Sequence, residues 1–567
     1  MSQLGSPGLI LPKDKEGFWK DVATSLPTGT QVAERNTAGD VELHDYCSKE
    51  VASSGQIIDA CGPEALGRDP TIVLAGKTAM SVSMRASAEG YWYRVDGKDP
   101  ELGPFTVRDE GEPQFTEKLA RQLGTTNQAI EEARQQAILK PISLDQVAEI
   151  LDTTIRQDYA TKIILFLAGL LTFTGEDQIN ILMAGEAAGG KSYLATQIAS
   201  YFPEGVPLLI GTASPAAFIH DVGEYDKETR TVRIDLRNKI IVLLDQPHYS
   251  LLQRLRALLS HDVKELQFKI TDKTKSGAHR TKNVIIIGFP TFIFCSAKMS
   301  LEEQELTRCF ILSPETNREK LDESLRLLAA KIGNREAFRQ WVEAHPERRL
   351  LKNRISALRG QIIQEVVIQD EEGTYKRFLS EHPRLAPRHQ RDYPRILSLI
   401  KAHALLNFAH REKPEGNDRT IIANKQDEEA AFKLYTMIAE SNELGLAPEI
   451  YEIYTQVLKP LLKEQHLVTR QQFLNRYYQH YGRFLSEQRL RKEILPPLEA
   501  KGLILQEADP SDKRRMLISL SGVENIVVRS VYSSEESQIE PVSQTQPIST
   551  QYTHQTTISP KESPNHA

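Results

Sequence analysis

Cysteine is scarce in this sequence. Its 567 residues include four cysteines, and no two of them form a Cys-x-x-Cys pair. This count excludes a disulfide-stapled scaffold and a zinc finger of the usual spacing. His44 and Cys47, with Cys61 beyond them, form an incomplete metal-site pattern, although buried cysteines without a chemical role are far more common. We expect a reducing, cytoplasmic environment.

Long hydrophobic runs are also missing. The longest apolar stretch, from Ile163 to Leu171, is far shorter than the roughly 20 residues that span a bilayer, and it predicts a buried helix. Residues 1–12 lack the basic start and apolar core of a signal peptide. We therefore expect no membrane partner. The net charge of -6 argues against a uniformly basic protein, but a local basic patch is enough to bind nucleic acid.

The apolar fraction of 40% is ordinary and allows several folded domains. Between 178 and 315, strand and helix patterns alternate, which predicts an α/β fold with a mostly parallel sheet flanked by helices. The predicted domains are a small N-terminal domain of unknown role at 1–125, a core with leading helices at 126–315, a helical lid or linker at 316–448, a basic unit at 449–525 and a disordered Ser/Thr/Gln/Pro-rich tail at 532–567. Strand patterns at 283–287 and 291–295 close the core, and amphipathic patterns predict helices near 319–344 and 349–367.

The most specific motif follows an apolar strand pattern at 179–183. Residues 185–192 match G-x-x-x-x-G-K-[ST] at every fixed position, and a helix pattern follows. In such a P-loop, backbone N–H groups and the helix N-terminus converge on phosphate oxygens. Lys191 is expected to bridge the β- and γ-phosphates, and the Ser192 hydroxyl to complete a magnesium shell. The motif predicts binding of ATP with Mg²⁺ by Gly185, Glu186, Ala187, Ala188, Gly189, Gly190, Lys191, Ser192 and Tyr193.

A second magnesium ligand is predicted at Asp245, which ends an apolar strand pattern at 239–244. This carboxylate would hold the ion through water. Many ATPases of this type place a Glu directly after the Asp to activate water, whereas this sequence has Gln246, which can orient a water but cannot take its proton. Hydrolysis is therefore either slow or served by another carboxylate, for which the candidates are Glu302, Glu303 and Glu305.

Two further residues are candidates for sensing the nucleotide. A strand pattern at 291–295 ends in Ser296, the place where ring-forming ATPases carry a polar sensor of the γ-phosphate. Arg308 follows a short acidic helix pattern, and an arginine there can stabilise transition-state charge in a neighbouring subunit. The alternative for Arg308 is a solvated residue at a helix end.

Basic residues concentrate in a predicted β-hairpin between the strands that end in Asp245 and Ser296. Residues 268–282 carry five Lys/Arg against one Asp, around a Lys- and Gly-rich tip. Such a hairpin would make sequence-independent, salt-sensitive contacts with a nucleic-acid backbone, and a solvated surface hairpin is the alternative. The candidate contacts are Lys269, Lys273, Lys275, Arg280 and Lys282. A mixed-charge hairpin pattern at 224–234 predicts a structural insertion.

Residues 449–520 show three helix patterns and a closing hairpin, which is the order of a winged helix. From 465 to 515 there are ten Lys/Arg against six Asp/Glu. With the third helix in the groove of a duplex, the candidate DNA contacts are Arg489, Arg491, Lys492, Lys513, Arg514 and Arg515. Winged helices also bind proteins, so a protein partner is the alternative.

The order P-loop, inserted hairpin, Asp-ending strand, basic hairpin, polar-ended strand and arginine resembles AAA+ ATPases of the helicase clade, including superfamily 3 and MCM-like helicases. Three segments look more like the helicase-like ATPases encoded beside primases on bacterial mobile elements, namely Leu244-Asp245-Gln246-Pro247-His248, Leu258-Leu259-Ser260-His261-Asp262 and the residues from Asp392 to Lys401. The resemblance covers about 145–415. It implies a homo-oligomeric ring, of the hexameric kind, with ATP sites between subunits, single-stranded DNA in the pore and a separate primase as partner.

The resemblance favours an ATP-dependent DNA helicase or translocase that serves replication of a mobile element. Two alternatives stay open. One is an ATP-gated DNA-binding switch or loader with low turnover, which the glutamine at position 246 favours. The other is a regulatory or defence ATPase whose winged helix binds a protein.

Overall fold

A computed structural model of the chain describes the backbone of four short N-terminal strands and residues 81–95, 100–213, 223–226, 228–229, 231–246, 248–261, 263–273, 279–296 and 307–521. Within 270–273 and 279–282 it describes the backbone alone. Several predictions fall outside these residues. They are the tail at 532–567, the metal pattern with Cys47 and Cys61, residues Lys275, Glu302, Glu303 and Glu305, and the side chains of Lys273, Arg280 and Lys282.

Two antiparallel sheets form the N-terminal part. Strands β1 (Leu9–Ile10), β2 (Gln31–Arg35), β3 (Val41–Asp45) and β4 (Thr71–Ala75) pair in the order β1-β4-β2-β3, and β5 (Val82–Ser87), β6 (Gly90–Val95) and β7 (Leu102–Phe105) pair in chain order. Helices α1 (Val107–Glu110), α2 (Phe115–Leu123) and α3 (Asn127–Leu139) follow. One hydrophobic cluster joins the second sheet to Phe115 and Ile130, so this packing extends across the boundary predicted at residue 125.

The core region contains helices α4 (Leu144–Leu151), α5 (Tyr159–Leu171), α6 (Lys191–Ala199) and α7 (Tyr249–Leu259). Its strands are β8 (Ile181–Met183), β9 (Pro207–Ile210), β10 (Glu224–Asp226), β11 (Thr231–Asp235), β12 (Ile240–Leu243), β13 (Glu265–Lys273), β14 (His279–Ile287), β15 (Thr291–Cys295) and β16 (Phe310–Leu312). Five of these strands form a parallel sheet in the order β16-β8-β15-β12-β9. The predicted α/β fold with a parallel sheet flanked by helices is confirmed.

Side chains of this sheet alternate between two hydrophobic clusters. On β12, Ile240 and Val242 pack with α5 and α6, whereas Ile241 and Leu243 pack with α7 and the C-terminal part of the chain. Both faces are therefore covered, as is usual for a parallel sheet, and all four β12 residues are buried. The ends of these strands are consequently the part of the sheet that is left to contact a ligand.

The two predicted hairpins belong to one separate sheet, with the order β10-β11-β14-β13. Strands β13 and β14 form the predicted basic hairpin, and β11 pairs parallel to β14. The strand predicted at 283–287 is therefore part of this inserted sheet, so its assignment to the central sheet was wrong. The fifth strand of the central sheet is β16 instead, an edge strand of three residues beside β8 that the sequence pattern did not predict.

The region after β16 is mainly helical, as predicted. It contains α8 (Arg318–Gly333), α9 (Arg335–Glu343), α10 (Pro346–Gln361), α11 (Glu371–Glu381), α12 (His389–Leu406), α13 (Lys425–Thr436) and α14 (Ala439–Glu443), with a 3-10 turn at Phe408–His410 and two parallel strands, β17 (Glu365–Ile368) and β18 (Thr420–Ala423). The helix predicted to continue to residue 367 was wrong at β17. Asn334 caps α9 through the Ala337 N–H, which splits the helix predicted at 319–344.

The C-terminal unit, residues 449–520, contains helical segments and a small sheet. Helix α15 (Pro448–Ile453) continues through a π-helical turn (Tyr454–Leu458) into α16 (Lys459–Gln465), followed by β19 (Leu467–Thr469), α17 (Arg470–Tyr481), α18 (Glu487–Arg489), a π-helical turn (Leu490–Ile494), α19 (Leu495–Ala500), β20 (Ile504–Ala508) and β21 (Met516–Leu520). The three strands pair antiparallel in the order β19-β21-β20. Three helical segments and the closing hairpin were predicted; β19 was not. No helix within the described ranges is both long and apolar enough to cross a bilayer.

Candidate functional site

The 185–192 loop connects the end of β8 to the start of α6 and closes around its own lysine. Gly185, Ala188 and Gly190 have positive φ angles of 130°, 64° and 91°. Lys191 is 8% exposed, and its ammonium donates to the carbonyl oxygens of Gly185 (3.0 Å) and Glu186 (2.6 Å). Burial lowers the pKa of Lys191. No side chain caps the N-terminus of α6, so its first N–H groups point into the loop, where an anion would be stabilised.

The two residues predicted to hold magnesium lie together at the carboxyl edge of the sheet. The Ser192 hydroxyl donates to the Leu244 carbonyl oxygen at 3.1 Å, directly before Asp245. Asp245 is exposed, and its Oδ1 accepts from the Gln246 N–H at 2.8 Å. Hydroxyl and carboxylate oxygens are the ligands that Mg²⁺ prefers. The structure thus brings together the residues that the sequence placed in one metal site.

Ser296 follows β15, the strand between β8 and β12. It is 1% exposed, and its N–H donates to the Met183 carbonyl oxygen at 2.9 Å, which places it beside the end of the strand that enters the loop. The preceding residue, Cys295, hydrogen-bonds with the Ser192 side chain, and burial raises the pKa of its thiol to about 11. Cys295 therefore stays protonated at neutral pH beside Ser192, and it was not among the predicted site residues.

Arg308 lies at the amino-terminal end of the parallel strands, opposite the end that carries the 185–192 loop. It precedes β16, whose first N–H, at Phe310, bonds to the Asn180 carbonyl oxygen just before β8 begins. The Arg308 Nε donates to the Ser260 hydroxyl at 2.6 Å. Because the strands are parallel, the full length of a strand separates Arg308 from the 185–192 loop. Arg308 is therefore out of reach of a nucleotide bound in the 185–192 loop of its own chain.

A chain of ion pairs joins the 185–192 loop to the C-terminal unit. Glu449, on α15 and 4% exposed, accepts through Oε2 from the Glu186 N–H at 3.0 Å and through Oε1 from Arg489 at 2.8 Å. Arg489 Nη1 also lies 3.1 Å from Glu186 Oε2. Glycine suits position 185 here, because a Cβ would approach Glu449 Oε2 to 3.3 Å on a backbone of positive φ. The C-terminal unit is therefore docked on the loop itself.

This docking corrects one predicted DNA contact. The Arg489 side chain is 13% exposed and is held between the carboxylates of Glu449 and Glu186, so it faces the loop. Burial lowers the pKa of Arg489, but the two carboxylates outweigh burial and raise it. The other predicted contacts of this unit are exposed at the surface; they are Arg491, Lys492, Lys513, Arg514 and Arg515. Their position leaves them accessible to a ligand.

The basic hairpin keeps its predicted place between β12 and β15. Lys269 is exposed on β13. The strand register pairs Lys273 with His279, Arg280 with Asp272 and Lys282 with Ile270. Basic positions consequently lie on both strands of the hairpin.

Comparison with known proteins assigns no family to the chain. No model of a known protein family matches it, and no curated protein matches it. The geometry of the 185–192 loop with Asp245 is thus the observation on which a functional assignment rests.

Proposed function

We propose that the protein is a Mg²⁺-dependent ATPase that acts on DNA as a helicase or translocase. One observation carries this proposal. A loop with the complete phosphate-binding motif connects a parallel strand to an uncapped helix N-terminus, and its Ser192 bonds to the residue before the exposed carboxylate of Asp245. Backbone N–H groups, a lysine and two hard oxygen ligands are the groups that bind a nucleoside triphosphate with its magnesium.

Each residue of the site has a defined task in this proposal. Lys191 exchanges its bonds to the Gly185 and Glu186 carbonyls for phosphate oxygens, which costs little because its present acceptors are neutral. Ser192 and Asp245 hold the metal, which supplies charge stabilisation when bound. Gln246 orients a water without accepting its proton, so turnover is slow unless another carboxylate serves as base.

An assembly of several chains is part of the proposal. Arg308 lies at the far edge of the sheet from its own loop, so it can serve catalysis only in a neighbouring subunit. The order of elements along the chain, from the P-loop motif to the arginine after the polar-ended strand, resembles that of ring-forming AAA+ ATPases. Both features support a homo-oligomeric ring in which each site is completed by the next chain.

DNA is the proposed partner because basic residues concentrate on two hairpins. One is β13–β14 with Lys269, Lys273, Arg280 and Lys282, and the other is the β20–β21 hairpin with its basic connection at 513–515. The C-terminal unit, with three helical segments and a three-stranded sheet, is proposed to be a winged helix. Contacts of this kind would be made with the phosphate backbone and depend on salt.

A low-turnover, ATP-gated DNA-binding switch is the second candidate, and one observation favours it. Glu449 and Arg489 connect the C-terminal unit to the backbone of the nucleotide loop, so nucleotide binding would alter the docking of this unit. Such coupling of two sites is the requirement for a switch.

Single-stranded DNA separates the two candidates. ATP hydrolysis by the full chain is measured with and without single-stranded DNA, together with displacement of a labelled strand from a duplex. A motor predicts strong stimulation and ATP-dependent strand displacement. Negligible turnover in both conditions, with DNA affinity that changes on ATP addition, would reject the motor and support the switch.

A further inference from the structure

A cavity of about 670 Å³ lies along the flank of α6. Tyr193, Gln197 and Ser200 form one side of it, and residues of α8, α9 and α10 form the other. None of the residues 185–192 lines it, whereas Tyr193, which was predicted to bind ATP with that loop, lines this cavity. Its volume lies within the range of small-ligand sites, roughly 300–1,000 Å³. We call it the cationic cavity.

The lining of the cationic cavity is strongly positive. One carboxylate, Glu343, faces six cationic side chains, which are Lys331, Arg335, Arg339, Arg348, Arg349 and Lys352. Arg339 is paired with Glu336, outside the cavity. The other five cations make no ion pair with any residue in the described part of the chain. Converging like charges repel each other, and a bound anion relieves that repulsion.

Arg348 marks the inner wall of the cavity. It is 6% exposed, its Nη2 donates to the Ser200 hydroxyl at 2.9 Å, and its guanidinium stacks over Tyr201 at 4.1 Å. Its Nη1 is buried without a hydrogen-bond partner. Burial, together with the charge of Arg348, lowers the pKa of Lys352. An unsatisfied buried guanidinium nitrogen costs free energy, and this nitrogen would gain an acceptor from an anion in the cavity only if the Arg348 side chain shifted toward it.

Aromatic rings accompany these charges. Phe338 and Tyr193 both line the cavity. Tyr193 is fixed by a hydrogen bond from its hydroxyl to the Thr154 carbonyl oxygen at 2.8 Å, and the Lys331 ammonium lies 5.3 Å from its ring centroid. Rings next to cations suit a nucleobase that is attached to phosphates, because the ring faces stack with the base.

We propose that the cationic cavity is a second anion site, which binds a nucleoside triphosphate independently of the 185–192 loop. The phosphates contact Arg335, Arg348 and Lys352, and the base packs against Phe338 or Tyr193. This site goes beyond the proposed ATPase activity. It lies on the flank of α6, whose N-terminus faces the loop.

Equilibrium dialysis with labelled ATP tests the second site on the full chain. The expected result is two classes of site in the natural protein. We expect Lys191→Ala to lose one class of site. The double change Arg335→Glu with Lys352→Glu should weaken the affinity of the other class by about tenfold or more. The variant that combines all three changes should show neither class. Arg359→Glu, a charge reversal at an exposed position of α10 outside the cavity, retains both classes.

The outcomes separate this proposal from the ATPase proposal. If the 185–192 loop binds no nucleotide, one class remains in the natural protein, survives Lys191→Ala and disappears on charge reversal in the cavity. If Lys191→Ala and the cavity variant abolish the same single class, the cavity is part of the loop site and the second site is rejected. Unchanged binding in the cavity variant also rejects it. Arg335→Gln with Lys352→Gln provides a milder version should the reversal impair folding, which circular dichroism would detect.

Discussion

Glu449 Oε2 accepts a hydrogen bond from the backbone N–H of Glu186 at 3.0 Å, inside the loop proposed to hold phosphate. The carboxylate thus uses a donor that a nucleotide phosphate would need. Its charge also lies near enough to affect the protonation of Lys191. The present docking of the C-terminal unit would therefore compete with the proposed nucleotide for the same loop.

Replacing this carboxylate by an amide should tighten nucleotide binding. Glu449→Gln keeps the side-chain shape but removes a negative charge that repels phosphate, so we expect an affinity increase of about tenfold, or about 1.4 kcal/mol. Titration of a fluorescent ATP analogue measures the change. Glu464→Gln, on exposed α16 in the same unit, should leave the affinity unchanged. Equal or weaker affinity in Glu449→Gln would show that the contact does not oppose the nucleotide.

Removing Arg489 should weaken the whole C-terminal docking. Arg489→Ala leaves the buried Glu449 without its cation, and breaking a buried pair in this way costs about 3 kcal/mol. Urea unfolding, or limited proteolysis between the core and the unit, measures the loss. Arg491→Ala, at a 58% exposed position on the next turn, should change stability by less than about 0.5 kcal/mol. Similar effects for the two variants would contradict the placement of Arg489 against the loop.

The helical region contains a buried carboxylate that makes stability depend on pH. Burial raises the pKa of Asp427, but hydrogen bonds from His403 and Arg411 outweigh burial and lower it. Its contribution to stability is therefore fully present above the unfolded pKa of about 3.9 and is lost as the pH falls through the lower folded value. Urea midpoints measured from neutral to acidic pH should fall less steeply for Asp427→Asn than for the natural chain. Asp418→Asn, at an exposed position, should follow the natural curve.

The basic connection of the β20–β21 hairpin should contribute to DNA affinity through charge alone. Replacing Lys513 and Arg514 by alanine should weaken binding equally for unrelated sequences. It should also reduce the slope of log affinity against log salt by about 1 to 2, since each lost phosphate contact removes up to about 0.9. Fluorescence anisotropy at several salt concentrations provides both values. An unchanged slope would mean that this hairpin does not contact DNA, and the protein-binding alternative for the unit would then gain support.

The loop and its magnesium partner could be predicted because their signals are local. The octet at 185–192 has fixed spacing, and Asp245 ends an apolar run whose four residues are all buried in a parallel sheet. The strand before the loop, the helix after it and the strand before Asp245 can therefore each be predicted from a run of consecutive residues. The hairpin at 265–287 was predictable for the same reason.

Contacts between distant segments left no such signal. Glu449 and Glu186 are 263 positions apart, and neither has a residue type or spacing that indicates the other. Arg489 had the appearance of a basic helix residue until the fold placed it against the loop. The cations of the cationic cavity come from three successive helices. In each helix taken alone, the charged residues have the pattern of an ordinary solvent-exposed face.

Short strands were equally difficult to predict from the sequence. Strand β16 has three residues, too few to establish a period of two. Strand β17 continues an apolar pattern that also fits the preceding helix, so the parallel partner β18 decides its conformation.

ATP hydrolysis by the natural chain, by Lys191→Ala and by Lys239→Ala tests the central claim most directly. Lys239 precedes β12 and bonds to the Gly205 carbonyl oxygen away from the 185–192 loop, so its replacement controls for loss of a lysine in the same sheet. We expect Mg²⁺-dependent hydrolysis in the natural chain and in Lys239→Ala, and hydrolysis at background in Lys191→Ala. Equal hydrolysis by Lys191→Ala and the natural chain would contradict the assignment of the 185–192 loop as the catalytic nucleotide site.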